Sequence, residues 1–307
     1  MISNEDLLFD RKVKIQSVFR QYGIENFYIS FSGGKDSTVL SWLIDQAAPG
    51  NQIPRVYADT GIEYKVVREF VKKKAEKDDR FVMIRPSVSI KKSLERDGYP
   101  FKSKLHSALI DVYQRHGLTY GVKNYLGIGD KTLYFSCPDA LRYQFTPAFH
   151  IRISDKCCVN MKEEPLKRWA KDNHKPYHIT GIMHDEGGRR ERATCLVFKR
   201  KNLTTFNPLI VLSKDWEEWA IQQYKIKICD IYKPPYNFYR TGCKGCPFAI
   251  DIQDELDTLE RFFPSEKKQC ERIWAPVYAE YRRIGYRLKK DDGKQVAMDF
   301  DKNRGAI

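Results

Sequence analysis

The hexapeptide Ser32-Gly33-Gly34-Lys35-Asp36-Ser37 combines residue types that can bind a phosphate group. It lies between the apolar runs 27–31 and 38–44, so the pattern predicts a strand, a loop and a helix in that order. Glycines let the backbone approach a ligand closely, and the free N–H groups at a helix start favour an anion. Lys35 adds a positive charge, and Ser32 and Ser37 add hydroxyl donors. The spacing differs from that of a Walker A loop, and an ordinary glycine-rich turn is the structural alternative.

Four of the eight cysteines form two close pairs, Cys157-Cys158 and Cys243-x-x-Cys246. Paired cysteines flanked by glycine and proline are typical of a metal or iron–sulfur site in a reducing compartment. Gly242 and Gly245 allow backbone amides to turn toward the sulfurs, and Pro247 follows the last cysteine. Four thiolates can also hold a structural zinc, although adjacent cysteines are awkward for its tetrahedral geometry. Unligated thiols are the third alternative.

Both patterns resemble those of one enzyme family. Residues 32–37 resemble the pyrophosphate loop of the ATP pyrophosphatases (PP-loop enzymes), and Asp59-Thr60-Gly61 is similar to a segment of their phosphoadenosine-phosphosulfate (PAPS) reductase branch. Residues 157–166 resemble the Cys-Cys-x-x-Arg-Lys-x-x-Pro-Leu motif of adenylylsulfate reductases, and residues 241–246 resemble its second half. The resemblance implies ATP or an adenosine sulfonucleotide as the ligand and one [4Fe-4S] cluster. The implied nucleotide-binding residues are Ser32, Gly33, Gly34, Lys35, Asp36, Ser37, Asp59, Thr60, Gly61, Lys162, Gly181 and Arg189, and the implied cluster ligands are Cys157, Cys158, Cys243 and Cys246.

Two methionines stand where this family has arginines. Met161 lies within the first cysteine motif, and Met183 lies in the segment 180–186, which is similar to the family's Gly-Ile/Val-Arg-x-x-Glu. Each change puts one charged contact of the family's active site in doubt. Arg189 and Arg190 follow the second segment and supply anion contacts from the same loop, or they belong to a solvated basic loop.

The sequence also departs from the family at its C-terminal end. Sulfonucleotide reductases carry a nucleophilic cysteine there in a Glu-Cys-Gly-Leu/Ile-His sequence. Here only Cys270 follows Cys246, in a helical pattern and without the glycine or the histidine, so we expect a half-buried helix cysteine. The reductase mechanism then lacks its attacking thiol. Relatives that keep the loop and the cluster without this cysteine include the ATP-dependent sulfurtransferases of DNA phosphorothioation and of tRNA thiolation.

The resemblance to sulfurtransferases implies that ATP adenylates an oxygen of the substrate and releases pyrophosphate, after which sulfide displaces AMP. Lys35, Asp36 and Asp59 are then the catalytic residues. Lys35 stabilises the leaving pyrophosphate, and Asp36 or Asp59 binds Mg²⁺ through water. A cysteine desulfurase is the expected sulfur donor. Cys137 and Cys195 are candidates to accept a persulfide, or they are buried inert thiols.

Two other functions remain open at this point. One is a sulfonucleotide reductase that borrows a thiol from elsewhere. The other is a non-catalytic regulator that binds a nucleotide, although the intact Lys35 and Asp36 tell against such degeneration.

The chain has 54 basic and 40 acidic residues, a net charge of +14, which favours a nucleic-acid partner, DNA or tRNA. A generic basic surface is the alternative. Aromatic residues near basic stretches either stack on bases or belong to the core: Tyr120, Tyr125, Tyr134, Tyr143 and Phe145. The sequence has no apolar run of about 18 residues, and its acidic N-terminus is unlike a signal peptide. We therefore expect a cytoplasmic protein with no membrane partner.

Strand and helix patterns alternate from residue 23 onward, with strands predicted at 53–58, 81–85, 149–153 and 177–182. This alternation predicts the α/β class, a doubly wound and mostly parallel sheet with helices on both faces. The resemblance implies the adenine nucleotide alpha hydrolase-like version of it. The predicted nucleotide domain covers residues 1–230, with an irregular insertion at about 96–147. Residues 231–307 are predicted to carry the second cysteine pair and a cluster-binding helical segment packed on that domain.

Overall fold

In the computed structural model, which describes residues 3–129, 136–186 and 191–290, six strands form one mostly parallel sheet. The strand order is β3-β2-β1-β4-β6-β5, and β5 alone among these strands runs antiparallel to its neighbour. The predicted α/β fold class is therefore confirmed. The strands are β1 Phe27–Ser30, β2 Arg55–Ala58, β3 Phe81–Ile84, β4 Tyr177–Ile179, β5 Leu196–Lys199 and β6 Asn202–Phe206.

Twelve α-helical segments lie in the described part of the chain. A π-helical turn, Val159–Glu163, joins the seventh to the eighth in one continuous run. The helices are α1 Asn4–Tyr22, α2 Lys35–Ala47, α3 Lys65–Ala75, α4 Ile90–Asp97, α5 Lys104–His116, α6 Tyr120–Tyr125, α7 Lys156–Cys158, α8 Glu164–Asp172, α9 Lys214–Gln223, α10 Ile252–Phe262, α11 Pro264–Ile273 and α12 Ala275–Ile284. No helix in the described ranges has the length and apolar character needed to cross a membrane.

The chain divides into two compact units. The first consists of Met1–Arg96 and Lys156–Lys244, and the second of Asp97–Asp155 and Gly245–Ile307, so far as their residues are described. All six strands belong to the first unit. The predicted boundary at residue 230, and the packing of a C-terminal segment on the first domain, remain predictions.

Apolar residues on the central strand hold helices against both faces of the sheet. Phe27 and Ile29 on β1 are fully buried in a cluster with Ile15 of α1 and Leu43 of α2. Tyr28 alternates to the opposite face, where its ring lies 5.6 Å from that of Trp169 on α8. Helices therefore cover both faces, as the alternating sequence pattern predicts.

The strand order reverses direction between β1 and β4. The chain builds outward from β1 to β2 and β3, and then returns to place β4 on the other side of β1. In open parallel sheets such a reversal opens a crevice at the carboxyl ends of the two strands, where ligands bind. The loops that follow Ser30 and Ile179 lie at this crevice.

One sequence-based expectation about the strands was wrong. Residues 149–153 form no strand in the described structure, apart from one isolated bridge between Tyr99 and Ile153. The side-chain amide of Gln114 on α5 instead bonds the Ile151 carbonyl at 2.8 Å and accepts from the Ile153 N–H at 3.1 Å, where a strand neighbour would. The segment 96–147, predicted as an irregular insertion, contains α5 and α6. The hairpin of β5 and β6 was not predicted.

The second unit contains a buried histidine held by neutral partners. His106 is fully buried, with its ring nitrogens 2.9 Å from the Tyr125 hydroxyl and 2.7 Å from the Gln144 side-chain oxygen. Burial lowers the pKa of His106 from 6.5 to about 4. The folded chain therefore keeps this imidazole neutral at pH values where the unfolded chain protonates it.

We expect this histidine to make the free energy of unfolding depend on pH. Its folded-state pKa lies below the unfolded value, so the stability it contributes is complete above about pH 6.5 and decreases as the pH falls toward 4. The loss is about 3 kcal/mol at the low end. Urea unfolding at a series of pH values measures it, and His106→Gln should lack this part of the dependence. Equal pH slopes for the two proteins would contradict the prediction.

Candidate functional site

The glycine loop, residues 31–34, connects β1 to α2 and is closed by the hydroxyl groups of Ser32 in the loop and Ser37 in α2. The Ser37 hydroxyl accepts from the Ser32 N–H at 3.2 Å and donates to the Gly34 carbonyl at 3.1 Å, and the two serine hydroxyls are 3.0 Å apart. Gly33 has a φ of +74°, and a Cβ there would lie 2.8 Å from Val67 and Val71 on α3. Glycine is therefore required at this position, both for the backbone conformation and for the close packing on α3.

A cleft of about 350 Å³ opens beside the glycine loop, at the crevice between β1 and β4. Six of the twelve implied nucleotide-binding residues line it: Ser32, Gly34, Lys35, Asp36, Ser37 and Gly181. Its remaining lining residues are Ser30, Thr180, Ile182, Asp185, Lys214, Tyr232, Tyr239, Arg240 and Thr241. The cleft places the start of α2, with its free N–H groups and positive dipole end, against a space that can hold a phosphate chain.

Gly181 brings the loop after β4 against the first turn of α2. A Cβ on Gly181 would lie 2.9 Å from the Asp36 carbonyl oxygen and 3.4 Å from the Ser37 nitrogen. Both neighbours are backbone atoms, which cannot rotate away as a side-chain end can. The two sides of the cleft are therefore held together by a contact that only glycine allows.

We expect Gly181→Ala to weaken ATP binding by about tenfold, because the added methyl group forces the two backbones apart at a cost of about 1–3 kcal/mol. Calorimetric titration with ATP measures the effect. Gly242→Ala is the matched control, since no heavy atom lies within 4 Å of its added Cβ. Equal affinities of the two variants would contradict the expectation.

A group of two lysines and two carboxylates lies at the mouth of the glycine loop. The Lys214 ammonium is 2.5 Å from Asp36 Oδ1 and 3.3 Å from Glu217 Oε2, and Lys35 Nζ is 4.0 Å from the same Glu217 oxygen. Glu217 is 1% exposed, and its other oxygen has no hydrogen-bond partner among the described residues. Burial, followed by the negative charge of Asp36, raises the pKa of Glu217 to about 8. Burial alone would raise the pKa of Asp36, but hydrogen bonds with Glu217 and Lys214 lower it.

Sequence reasoning did not find Lys214 or Glu217. One signal for Lys214 was available, because it is the first residue of α9 after the N-cap Ser213. A cation at a helix N-terminus opposes the helix dipole, so its presence there calls for an anionic neighbour. Lys35 has the same position on α2. Glu217 gave no comparable signal, since a glutamate within a helix is ordinary.

Other predicted residues lie outside the lining of this cleft. Asp59 accepts from Arg68 at 3.0 Å and lies 3.7 Å from Arg85, and its second oxygen is buried without a hydrogen-bond partner in the described structure. The Thr60 N–H and hydroxyl donate to Glu63 at 3.1 and 2.7 Å. Gly61 has a φ of +77° with open space around it. Arg189 falls outside the described residues.

Lys162 connects the segment after β2 to two of the cysteines. Its ammonium lies 3.6 Å from Glu63 and is hydrogen-bonded to Cys243, and Cys158 is near enough to act on it electrostatically. Burial alone would lower the pKa of Lys162, but Cys243 and Glu63 raise it. Burial raises the pKa of the Cys243 thiol, and Lys162 opposes that rise. Cys157 and Cys158 end α7, directly before the π-helical turn that carries Lys162.

The four-cysteine cluster remains a prediction. No three histidine, cysteine, aspartate or glutamate side chains within residues 3–129, 136–186 and 191–290 are grouped so as to hold a metal ion. Cys157, Cys158 and Cys243 belong to the first unit and Cys246 to the second. The three thiols in the first unit are soft sulfur ligands, the type that iron–sulfur groups use, and the Lys162 cation lies beside two of them.

Three of the remaining cysteines have thiols that are buried or half-buried. Cys137 is 3% exposed, and burial raises its pKa to about 11. Burial also raises the pKa of Cys195. Cys270 is fully buried within α11. Because the thiolate is the nucleophile, these environments favour inert thiols over persulfide carriers.

The aromatic residues considered for base stacking differ in their exposure to solvent. Tyr125 and Phe145 are buried and pack on each other at 5.9 Å, so they belong to the core of the second unit. Tyr143 bonds the carboxylate of Glu280, and Tyr120 is 60% exposed. Tyr134 lies outside the described residues.

The sequence of the chain matches a known family model and is similar to that of another protein. The family model "Phosphoadenosine phosphosulfate reductase domain" matches residues 26–126 and 133–249, more than half of the chain. An uncharacterized protein of Methanocaldococcus jannaschii is 25% identical over an alignment of 293 residues that covers 88% of this chain. The chain spans 58% of the length of that relative.

Two solved structures are similar at low sequence identity. One is the PAPS reductase of Candida auris in complex with phosphate, with 14% identity and a TM-score of 0.44 over 79% of this chain and 96% of that one. The other is a U34-tRNA thiolase of Methanococcus maripaludis with its [4Fe-4S] cluster, with 14% identity and a TM-score of 0.39 over 92% of this chain and 80% of that one.

Proposed function

Because the chain belongs to the phosphoadenosine phosphosulfate reductase domain family, we propose that it is an ATP-dependent sulfurtransferase of a nucleic acid, similar in chemistry to DNA phosphorothioation enzymes. The observation that carries this proposal is the cleft of about 350 Å³, in which the glycine loop, the start of α2 and two lysines surround a space suited to a nucleotide's phosphates. Lys35 and Lys214 supply positive charge there, and the helix start supplies N–H donors.

The reaction we propose has two displacement steps. An oxygen of the substrate attacks the α-phosphorus of ATP, the bond between that phosphorus and the bridging oxygen breaks, and pyrophosphate leaves with the bonding electrons. Sulfide then attacks the substrate atom that carries the adenylated oxygen. The bond between that atom and the oxygen breaks, and AMP leaves with the bonding electrons. Neither step changes an oxidation state, because a cysteine desulfurase with a thiol reductant supplies sulfur as sulfide. Lys35 and Lys214 stabilise the charge that develops on the leaving pyrophosphate.

Mg²⁺ and the cluster complete the proposal. Asp36 lines the cleft and would hold Mg²⁺ through water. Asp59 does not line the cleft, so it would bind the Mg²⁺ water shell only from beyond the cleft lining. Cys157, Cys158, Cys243 and Cys246 would hold one [4Fe-4S] cluster, which would supply a labile sulfide or anchor the chain near the second cysteine pair. Glu63 would hold the Lys162 ammonium beside two of these sulfurs, those of Cys158 and Cys243.

ATP–pyrophosphate exchange with the anaerobically purified chain tests the function. We expect exchange that requires Mg²⁺ and increases when DNA or tRNA is added. Absence of both ATP binding and exchange under all these conditions would overturn the proposal. ATP binding without exchange, unaffected by nucleic acid, would favour a non-catalytic regulator.

A sulfonucleotide reductase is the second candidate, because the matching family model is that of a reductase domain. The burial of Cys270 within α11 speaks against it, since the reductase needs an accessible attacking thiol. Release of sulfite from adenylylsulfate in the presence of thioredoxin would establish this activity in place of the sulfurtransferase.

A further inference from the structure

A second pocket lies on the first unit, with a volume of about 680 Å³ and no lining residue in common with the nucleotide cleft. Tyr28, His178 and Thr204 line it from the sheet. Lys167 and Lys171 line it from α8, and Lys175 from the loop before β4. The pocket is therefore built from β1, β4, β6 and one helix.

The strand register locates this pocket at the amino ends of the strands. Tyr28 and His178 are register partners, and each is the second residue of its strand. The nucleotide cleft uses Ser30 and Thr180 at the carboxyl ends of the same two strands. The two sites thus use different ends of one strand pair.

The pocket is positively charged. None of the ten described residues that line it has a carboxylate, and three are lysines. The Lys175 ammonium donates to the Glu25 carbonyl oxygen at 2.5 Å, which orients it. Lys167 is paired with Glu164 at 3.0 Å and lies 4.0 Å from Glu163. Burial lowers the pKa of His178, so the sheet side of the pocket is neutral and the charge is on its walls.

A basic turn extends this charge along the same edge of the sheet. His178 on β4 pairs with Thr205 on β6. Counting three residues back on each parallel strand places Lys175 level with Asn202, the first residue of β6. Lys199 ends β5, and Arg200 and Lys201 form the turn that directly precedes Asn202; all three are exposed. These three residues are called the basic turn.

We propose that this pocket and the adjacent basic turn bind the phosphodiester backbone of a nucleic acid. The inference deepens the proposed function, because it gives the nucleic-acid substrate a docking surface on the sheet that carries the nucleotide cleft. Six cations on three segments exceed what one phosphate ion needs, whereas a polynucleotide presents a row of phosphates to such an edge. The sheet side of the pocket is neutral, so the charged contacts are to the phosphates. We therefore expect binding that depends on salt and little on base sequence.

Binding of labelled oligonucleotides of mixed sequence to the full chain, followed by fluorescence anisotropy over a range of salt concentrations, tests the proposal. We expect the double variant Lys167→Gln/Lys171→Gln to bind single strands about 25-fold more weakly at roughly 0.1 M salt. The slope of log affinity against log salt should decrease by about 1.4. The matched control is Lys72→Gln/Lys73→Gln, which removes the same charge from exposed positions on α3.

The remaining arms separate this inference from the proposed function. ATP affinity of the pocket variant should be unchanged, which shows that the chain is folded. Lys35→Ala should bind oligonucleotide as the unmodified chain does, and inorganic pyrophosphate should not displace it. Equal losses in the pocket variant and the α3 control would overturn the docking surface, as would displacement by pyrophosphate. Neither of these two results affects ATP–pyrophosphate exchange, so the proposed function could stand without the docking surface. Absence of exchange with oligonucleotide binding retained would instead count against the proposed function.

Discussion

Replacing Lys35 with alanine should lower the rate of ATP–pyrophosphate exchange by about 10²–10³-fold. Lys35 is the first residue of α2, lines the cleft and lies 4.0 Å from Glu217 and 5.9 Å from the centre of the Tyr232 ring. These neighbours hold the ammonium where negative charge develops as pyrophosphate leaves. A charge placed in advance stabilises the transition state without reorganisation, so its removal affects the rate more than the affinity.

The control for this variant is Lys104→Ala. Lys104 is also the first residue of a helix, α5, but it belongs to the second unit and does not line the cleft. We expect its exchange rate to equal that of the unmodified chain. If Lys35→Ala kept its rate within a few-fold while binding ATP normally, the pyrophosphate would have to leave from another part of the molecule.

Features that depend on neighbouring residues could be predicted from the sequence. The glycine loop is one, because strand, turn and helix start lie within eleven residues and the hydroxyl contacts of Ser32 and Ser37 span five. The parallel sheet is another, since the alternation of strands and helices favours it directly. Neither needs knowledge of distant contacts.

Features that depend on distant residues could not be predicted in this way. Lys214 reaches Asp36 across 178 positions of sequence, and Glu217 is buried only because α9 packs near α2. The β5–β6 hairpin was missed for a different reason. Its turn places Arg200 and Lys201 at φ values of +47° and +69°, where hairpins usually have glycine or asparagine. The sequence therefore lacked the usual turn signal.

The basic turn and Glu217 each have a feature that destabilises the fold. Two basic residues of the turn have positive φ values, and one buried oxygen of Glu217 has no hydrogen-bond partner in the described structure. Local strain and unsatisfied groups are concentrated at functional sites, because the surrounding structure must maintain them. Both lie on the first unit, where the nucleotide cleft and the basic pocket also lie.

Replacing Cys243 with alanine should lower the iron bound per chain after anaerobic reconstitution by about tenfold or more, because a thiolate ligand is lost and the site binds through sulfur. Cys243 is hydrogen-bonded to Lys162 and interacts with Cys158. Removal of the Cys243 thiol therefore also removes a partner of the Lys162 ammonium. Iron and sulfide analysis measures the loss. Cys195→Ala is the matched control, since Cys195 is half-buried in the same unit and outside the cysteine pairs.

ATP affinity keeps this last prediction open to contradiction. Cys243 does not line the nucleotide cleft, so the variant should bind ATP as the unmodified chain does, which shows that it is folded. A folded Cys243→Ala chain that retains its iron would contradict a cluster at these cysteines. Equal iron loss in Cys243→Ala and Cys195→Ala would mean that the iron depends on general stability and not on this thiol. We expect loss of iron in Cys243→Ala and in Cys158→Ala, with Cys195→Ala unchanged, because Lys162 interacts with both of these thiols.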